Sequence, residues 1–198
     1  MAMTTPPPGG NFTPAPEGKH KARCFSMIDL GTQPQSYMGE AKAPKREFVL
    51  NFELPECLDE NGEPHTVMKW CKLTSLDKKT NLYQMIRSWS NGKAPSKQQI
   101  EEGGFDPSTL VGMPCTLIVA HTDGEQPKAK IEGQPVGLDE GVPMPEPHNE
   151  KMVFYTDEPD MAIFEGLPDF FKAKIQDSPE FQAAQGSSAP AASGGGWA

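Results

Sequence analysis

From Lys19 the chain alternates, with Lys19, Lys21, Arg23, Phe25 and Met27 on one side and His20, Ala22, Cys24, Ser26 and Ile28 on the other. A period of two predicts a first strand. Arg46 to Leu54 repeats the pattern more sharply: Phe48, Leu50, Phe52 and Leu54 make a core face, and Glu47, Val49, Asn51 and Glu53 the opposite one. Asp59-Glu60-Asn61-Gly62 carries Asn-Gly turn chemistry and predicts a hairpin into a third strand, His65 to Leu73. Neither face of that strand is wholly apolar; Val67, Cys71 and Leu73 are taken as inward. The period then changes. Leu82, Met85, Ile86 and Trp89 fall at i, i+3, i+4 and i+7, the stripe of an amphipathic helix, and Asn91-Gly92 ends it. Ser96-x-x-Gln99 has the form of a capping box for a short second helix. Met113 to His121 is almost continuously apolar, as in a strand covered on both faces, and Asp123-Gly124 turns it into a fifth strand, Lys128 to Val136.

Three strands, a helix and two strands predict a mainly β fold: a five-stranded OB-fold-like barrel with one helix between strands 3 and 4. A helix in that position plugs one end of the barrel and leaves the face around strands 2 and 3 open to ligands such as oligonucleotides. An α+β sandwich has the same element order. Around this body, residues 1–17 read as a Pro/Gly-rich arm and residues 18–138 as the folded domain. Residues 139–184 form an acidic, Pro-rich extension. Its apolar clusters, Met161 to Phe164 and Phe170-Phe171 with Ile175, predict short helices docked on the barrel or holding a protein partner. Residues 185–198 are a Gly/Ala/Ser tail containing Trp197.

Composition narrows the function classes. With 198 residues and 21 prolines, the chain suits one modest domain with tails. The longest apolar run, Cys115 to Ala120, is far short of the ~20 residues a membrane helix needs, and Met1 to Pro8 lacks the form of a secretory leader. A cytoplasmic protein is expected. The four cysteines never form C-x-x-C and the four histidines never form H-x-x-x-H, so reduced thiols, no metal and no cofactor are expected. Net charge is −9, but residues 1–138 hold 15 Lys plus Arg against 16 Asp plus Glu, and residues 139–198 hold 3 against 11. The acidity belongs to the last third.

Single-strand binding needs cations to follow phosphates and flat rings on which bases stack. The near-neutral body interleaves both: Lys21, Arg23 and Phe25 on the first strand, Lys45 and Arg46 at the start of the second, Trp70 and Lys72 on the third, Lys128 and Lys130 on the fifth. Lys69, adjacent to Trp70, points to the opposite face of any flat stretch. The competing reading makes the cations ordinary strand surface and Phe25 and Trp70 core. Enzyme motifs such as G-x-S-x-G, G-x-x-x-x-G-K-[ST] and H-E-x-x-H do not occur. Catalysis is not expected.

Several stretches carry a resemblance: E-G-K-H-K-A-R-C at Glu17 to Cys24, F-x-L-P-E at Phe52 to Glu56, K-T-N-L at Lys79 to Leu82, L-V-G-M-P-C at Leu110 to Cys115, and L-P-D-F-F-K-A-K-I from Leu167. Through them, Gly18 to Phe181 resembles bacteriophage-encoded OB-fold proteins of the single-stranded DNA-binding, replication and recombination accessory kind. That resemblance implies a protein that coats or protects single-stranded DNA, with its acidic extension repelling free DNA or meeting replication or recombination proteins. Self-association stays open. The chain departs from the family's habit of ending in acids capped by an aromatic, since its acids stop at Glu180. The alternative is a non-catalytic phage interaction protein that docks a partner through Phe164, Phe170, Phe171 and Trp197.

Overall fold

The computed structural model describes residues 13–102, 104–144 and 146–187. Its longest strands, β1 (Gly18–Tyr37) and β2 (Glu40–Leu58), form an antiparallel hairpin reaching well past the alternating segments. The hairpin turns at Met38 and Gly39, with φ of 50° and 82°, the paired positive values that match the twist of the flanking strands. Methionine seldom adopts this backbone, so the turn leaves no signal in the sequence. β3 (Pro64–Lys72) lies on the other edge of β2, with Phe48, Leu50 and Phe52 opposite Cys71, Lys69 and Val67. Val67 and Cys71 face inward as expected; Leu73 lies beyond the strand and is exposed.

The next elements follow local chemistry closely. The Thr80 hydroxyl accepts from the Tyr83 amide to open α1 (Asn81–Trp89), and Leu82, Met85, Ile86 and Trp89 pack against Phe48, Leu50 and Phe52. The Trp89 indole donates to the Pro114 carbonyl at 2.9 Å, and its ring lies 5.4 Å from Phe52. Ser96 and Gln99 form the predicted capping box of α2 (Lys97–Glu101). A 3₁₀ turn at Pro107–Leu110 leads to β4 (Pro114–His121), which adds Cys115, Leu117 and Val119 to the same core, and then β5 (Ala129–Val136).

The strand order is β3-β2-β1-β4-β5, antiparallel throughout, and a short β6 (Met152–Phe154) runs parallel to β1 at Ser26–Ile28. The fold is mainly β, with six strands in one sheet and five helices among the described residues. The expected five-stranded barrel is not closed: among the described residues β3 and β5, the two ends of the order, do not pair. β5 is irregular where it approaches β3. Its partners on β4 jump from Thr116–Val136 to Ile118–Glu132, Gly133 takes φ 72°, and Pro135 has no amide to donate. What joins the two ends is a side chain, Lys69 Nζ donating to the Gly133 carbonyl at 2.7 Å.

The face of the sheet opposite α1 is covered too. After β6 come α3 (Met161–Gly166), α4 (Asp169–Gln176) and α5 (Pro179–Ser187), whose Phe164, Phe171, Ile175 and Phe181 pack with Phe154 on Ile28, Leu30 and Val49. β1 is therefore buried on both sides. A bulge at Phe25 shifts its parity, so that Ala22, Cys24 and Met27 enter the first core while Ile28 and Leu30 enter the second. At Gly31 a Cβ would stand 2.4 Å from that of Ser178, so the α4–α5 junction rests on bare backbone.

One carboxylate ties these parts together. Asp29, 4% exposed, accepts from Arg46 (3.0 and 2.5 Å), from the amide and hydroxyl of Thr156 (3.0 and 2.5 Å) and from the Gly31 amide (3.0 Å). Arg46 also reaches Asp157 at 2.8 Å, and Glu180 accepts from the amide and hydroxyl of Thr32 (2.8 and 2.5 Å). Burial alone would raise the Asp29 carboxyl, but these hydrogen bonds outweigh it and hold the group below its ordinary 3.8. A carboxyl depressed by folding stabilises above its unfolded pKa and loses that contribution as pH falls through the folded value. Asp29→Asn is accordingly expected to destabilise the protein by about 3 kcal/mol at pH 7 and to flatten the fall in stability below about pH 4. Urea melts across pH check both. A chain ending at Val142 would uncover Ile28, Leu30 and Val49, and is expected to aggregate or unfold, as read by gel filtration and near-UV circular dichroism.

Candidate functional site

The bulge in β1 and the C-terminal layer decide the fate of the first-strand groove. Arg23 is buried, its Nε 2.8 Å from Oε1 of Glu53, a carboxylate with no exposure, and it also donates to the Asn149 carbonyl. Asn149 completes the pair by donating its amide and side chain to Glu53, each at 2.8 Å. Phe25 is buried. Lys21 is committed to Glu56 at 2.9 Å, and Arg46 belongs to the Asp29 knot. The β1 groove is therefore not a surface: Arg23, Phe25 and Arg46 are structural, because residues 146–187 lie on the face that alternation assigned to solvent.

The remaining candidates converge elsewhere. A cleft of about 400 Å³ opens between β3, the start of α1 and β5. Four lysines line it, Lys45, Lys69, Lys72 and Lys79, and no carboxylate does. Lys72 has partners at its rim, Gln35 and Glu47, the latter at 3.9 Å. The ammonium groups of Lys45 and Lys79 make no hydrogen bond or ion pair with a described residue. Lys69 is the inward-facing member. It reaches the cleft because β3 and β5 leave a gap, its ammonium donates to the neutral Gly133 carbonyl, and burial pushes its pKa down. The floor is apolar, from Leu82 and Met85. A second depression, about 750 Å³ and more open, is lined by Asp157, Glu158 and Glu180 without a cation.

Trp70 stands at the rim of the lysine cleft, 44% exposed. Its ring centroid is 5.9 Å from that of Phe171, Lys174 Nζ lies 5.7 Å from the ring centroid, and Phe170, 50% exposed, follows Phe171 at 4.1 Å. Trp70, Phe171 and Phe170 make a short aromatic strip leading away from the cleft. Of the four expected partner-docking residues, Phe164 and Phe171 are spent in the second core, Phe170 remains accessible, and Trp197 lies outside the described residues.

Lys128 and Lys130 are exposed on β5 or just before it, without a partner among the described residues, but do not line the cleft. The structure therefore brings Lys45, Trp70 and Lys72 together and adds Lys69 and Lys79. Lys79 had a signal, a Lys-Lys-Thr run at a helix opening; alternation sets Lys69 aside as lying opposite Trp70, and it reaches the cleft through the gap between β3 and β5. Among the described residues no group of three His, Cys, Asp or Glu is arranged to hold a metal, and no helix is long and apolar enough to cross a membrane. The cysteines are free, and burial pushes the Cys24 and Cys71 thiols up to about 12. No protein-family model matches the chain, and no curated protein matches it.

Arg23→Ala would strand the buried Glu53 carboxylate. A loss of about 3–5 kcal/mol in chemical denaturation is expected, the cost of breaking a buried pair, whereas Lys45→Ala and Lys79→Ala should leave stability within about 0.5 kcal/mol.

Proposed function

We propose that the protein is a non-catalytic single-stranded DNA-binding module of OB type, of the kind bacteriophages encode for replication and recombination. The observation that carries this reading is the cleft of four lysines and no carboxylate beside the half-exposed Trp70. Phosphates would run over Lys45, Lys72 and Lys79, while bases stack on Trp70 and Phe170. The sheet order supports the OB reading: β3-β2-β1-β4-β5 with α1 between β3 and β4 becomes a five-stranded barrel once β3 meets β5, and the Lys69–Gly133 contact stands at that seam. The overall charge of −9 does not oppose the proposal, because Asp157, Glu158 and Glu180 of the last third border a separate depression, and two of them, Asp157 and Glu180, are engaged with Arg46 and Thr32.

Fluorescence anisotropy of a labelled thirty-residue thymidine oligonucleotide, with duplex and RNA controls and the full chain, tests it. Salt-sensitive binding that prefers the single strand is expected. Lys72→Ala and Lys79→Ala should each reduce the log–log salt slope by about 0.7. Trp70→Ala should weaken binding by about 1–3 kcal/mol, roughly 5- to 150-fold, with the fold retained. Absence of binding at low salt would remove the nucleic-acid reading and return attention to a protein partner at Phe170.

A further inference from the structure

Two buried polar atoms among the described residues find no hydrogen-bond partner, Thr74 Oγ1 and Gln134 Oε1, and both residues line the lysine cleft. Native interiors seldom leave such groups unpaired, and each one calls for a partner from outside the protein, whether water, an ion or a ligand. Their convergence on one cleft, from opposite sides, is the point. Thr74 follows the end of β3; Gln134 sits in the irregular stretch of β5, beside Gly133 at φ 72°, the kind of bulge that re-aims a side chain. A sequence-tolerant groove needs cations and rings, and has no use for a buried amide oxygen.

The shape of the cleft narrows the ligand further. About 400 Å³ is within the roughly 300–1,000 Å³ that enclose a small molecule, and is far more than a phosphate ion fills. Its parts are segregated: lysines with the N-cap Thr80 and the first residue of α1, Asn81, around an anion's place, Leu82 and Met85 as an apolar wall, and Thr74 and Gln134 in the lining with their buried oxygens unpaired. We propose that this cleft is a subsite for a single nucleotide, its phosphate held by Lys72, Lys79 and the start of α1, its base against Leu82 and Met85 with a ring or amino N–H donated to Gln134 Oε1. Thr74 Oγ1 takes a second polar group of the same nucleotide. This deepens the strand-binding reading and rests on it: one nucleotide of the strand is turned into the cleft while its neighbours stack outside on Trp70 and Phe170, and that position gains a base preference that the rest of the footprint lacks. A Gln side chain confers it because base edges differ in their donors and acceptors.

The test uses the full chain, the four deoxynucleoside 5′-monophosphates and inorganic phosphate as separate titrants in isothermal calorimetry, and the oligonucleotide assay in parallel. Thr74→Val and Gln134→Leu each remove an oxygen that bonds nothing in the protein, so neither should lower the melting temperature, and either can raise it. Expected is one-site binding of at least one nucleotide, tenfold or more tighter than phosphate, with a preference among the four bases. Gln134→Leu should abolish that preference, Thr74→Val should weaken the nucleotide several-fold, and Lys79→Ala should weaken every nucleotide and phosphate alike. Equal binding of phosphate and all nucleotides, untouched by Gln134→Leu and Thr74→Val, would overturn the proposal even where the oligonucleotide binds, leaving strand binding intact. Nucleotide binding without oligonucleotide binding would support the subsite and overturn the strand reading instead. No nucleotide binding up to millimolar concentration, with both variants melting below the wild type, would make Thr74 and Gln134 structural and overturn the subsite.

Discussion

A nearly buried carboxylate in the middle of the longest strand sets the terms for the rest of this molecule. Asp29 needs donors, because an unpaired buried charge is costly, and it draws them from β1 itself, from Arg46 on β2 and from Thr156 beyond β6. Segments more than a hundred residues apart are thereby held at one point. With Thr156 fixed there, the chain that follows lies over the β1–β2 face, and Phe164, Phe171, Ile175 and Phe181 fill it. The acidic extension is part of the folded body.

This placement relocates the candidate site. Arg23 on β1 and Arg46 on β2 become structural through the Arg23–Glu53 and Arg46–Asp29 pairs, which the second layer completes with Asn149, Thr156 and Asp157. Four lysines gather instead near the seam between β3 and β5, where the sheet does not close and α1 begins. An inward lysine is tolerated in that seam because it meets a carbonyl and the cleft, instead of a packed core. Charge is also distributed unevenly: Asp157, Glu158 and Glu180 border one depression, whereas four lysines line the cleft, with Glu47 3.9 Å from Lys72 at its rim.

Much of the local structure was legible because it depends on neighbours in sequence. The stripe Leu82, Met85, Ile86, Trp89 specifies α1, Ser96 and Gln99 specify the capping box, and the core face of β2 follows from Phe48, Leu50, Phe52 and Leu54. The first strand was misread because alternation assumes unbroken parity, and the bulge at Phe25 breaks it. The hairpin tip was missed because Met38 occupies a conformation usually given to Asn or Gly. Of the candidate site, Lys45, Trp70 and Lys72 were readable as exposed strand cations and an aromatic, while Thr74 and Gln134 looked like any polar residues, since being unpaired is a property of surroundings.

By itself the sequence determined a mainly β body with its order of elements, the helix between β3 and β4, the concentration of acid in the last third and the interleaving of lysines with aromatics on the strands. Those properties are set by residue spacing and count. Tertiary structure alone decided that β1 is covered on both faces, that β3 and β5 stay apart, and that Trp70 meets Phe171 from the far end of the chain. Each of these depends on contacts between residues distant in sequence, and a period of two or of 3.6 residues carries no information about which distant segment will cover a face.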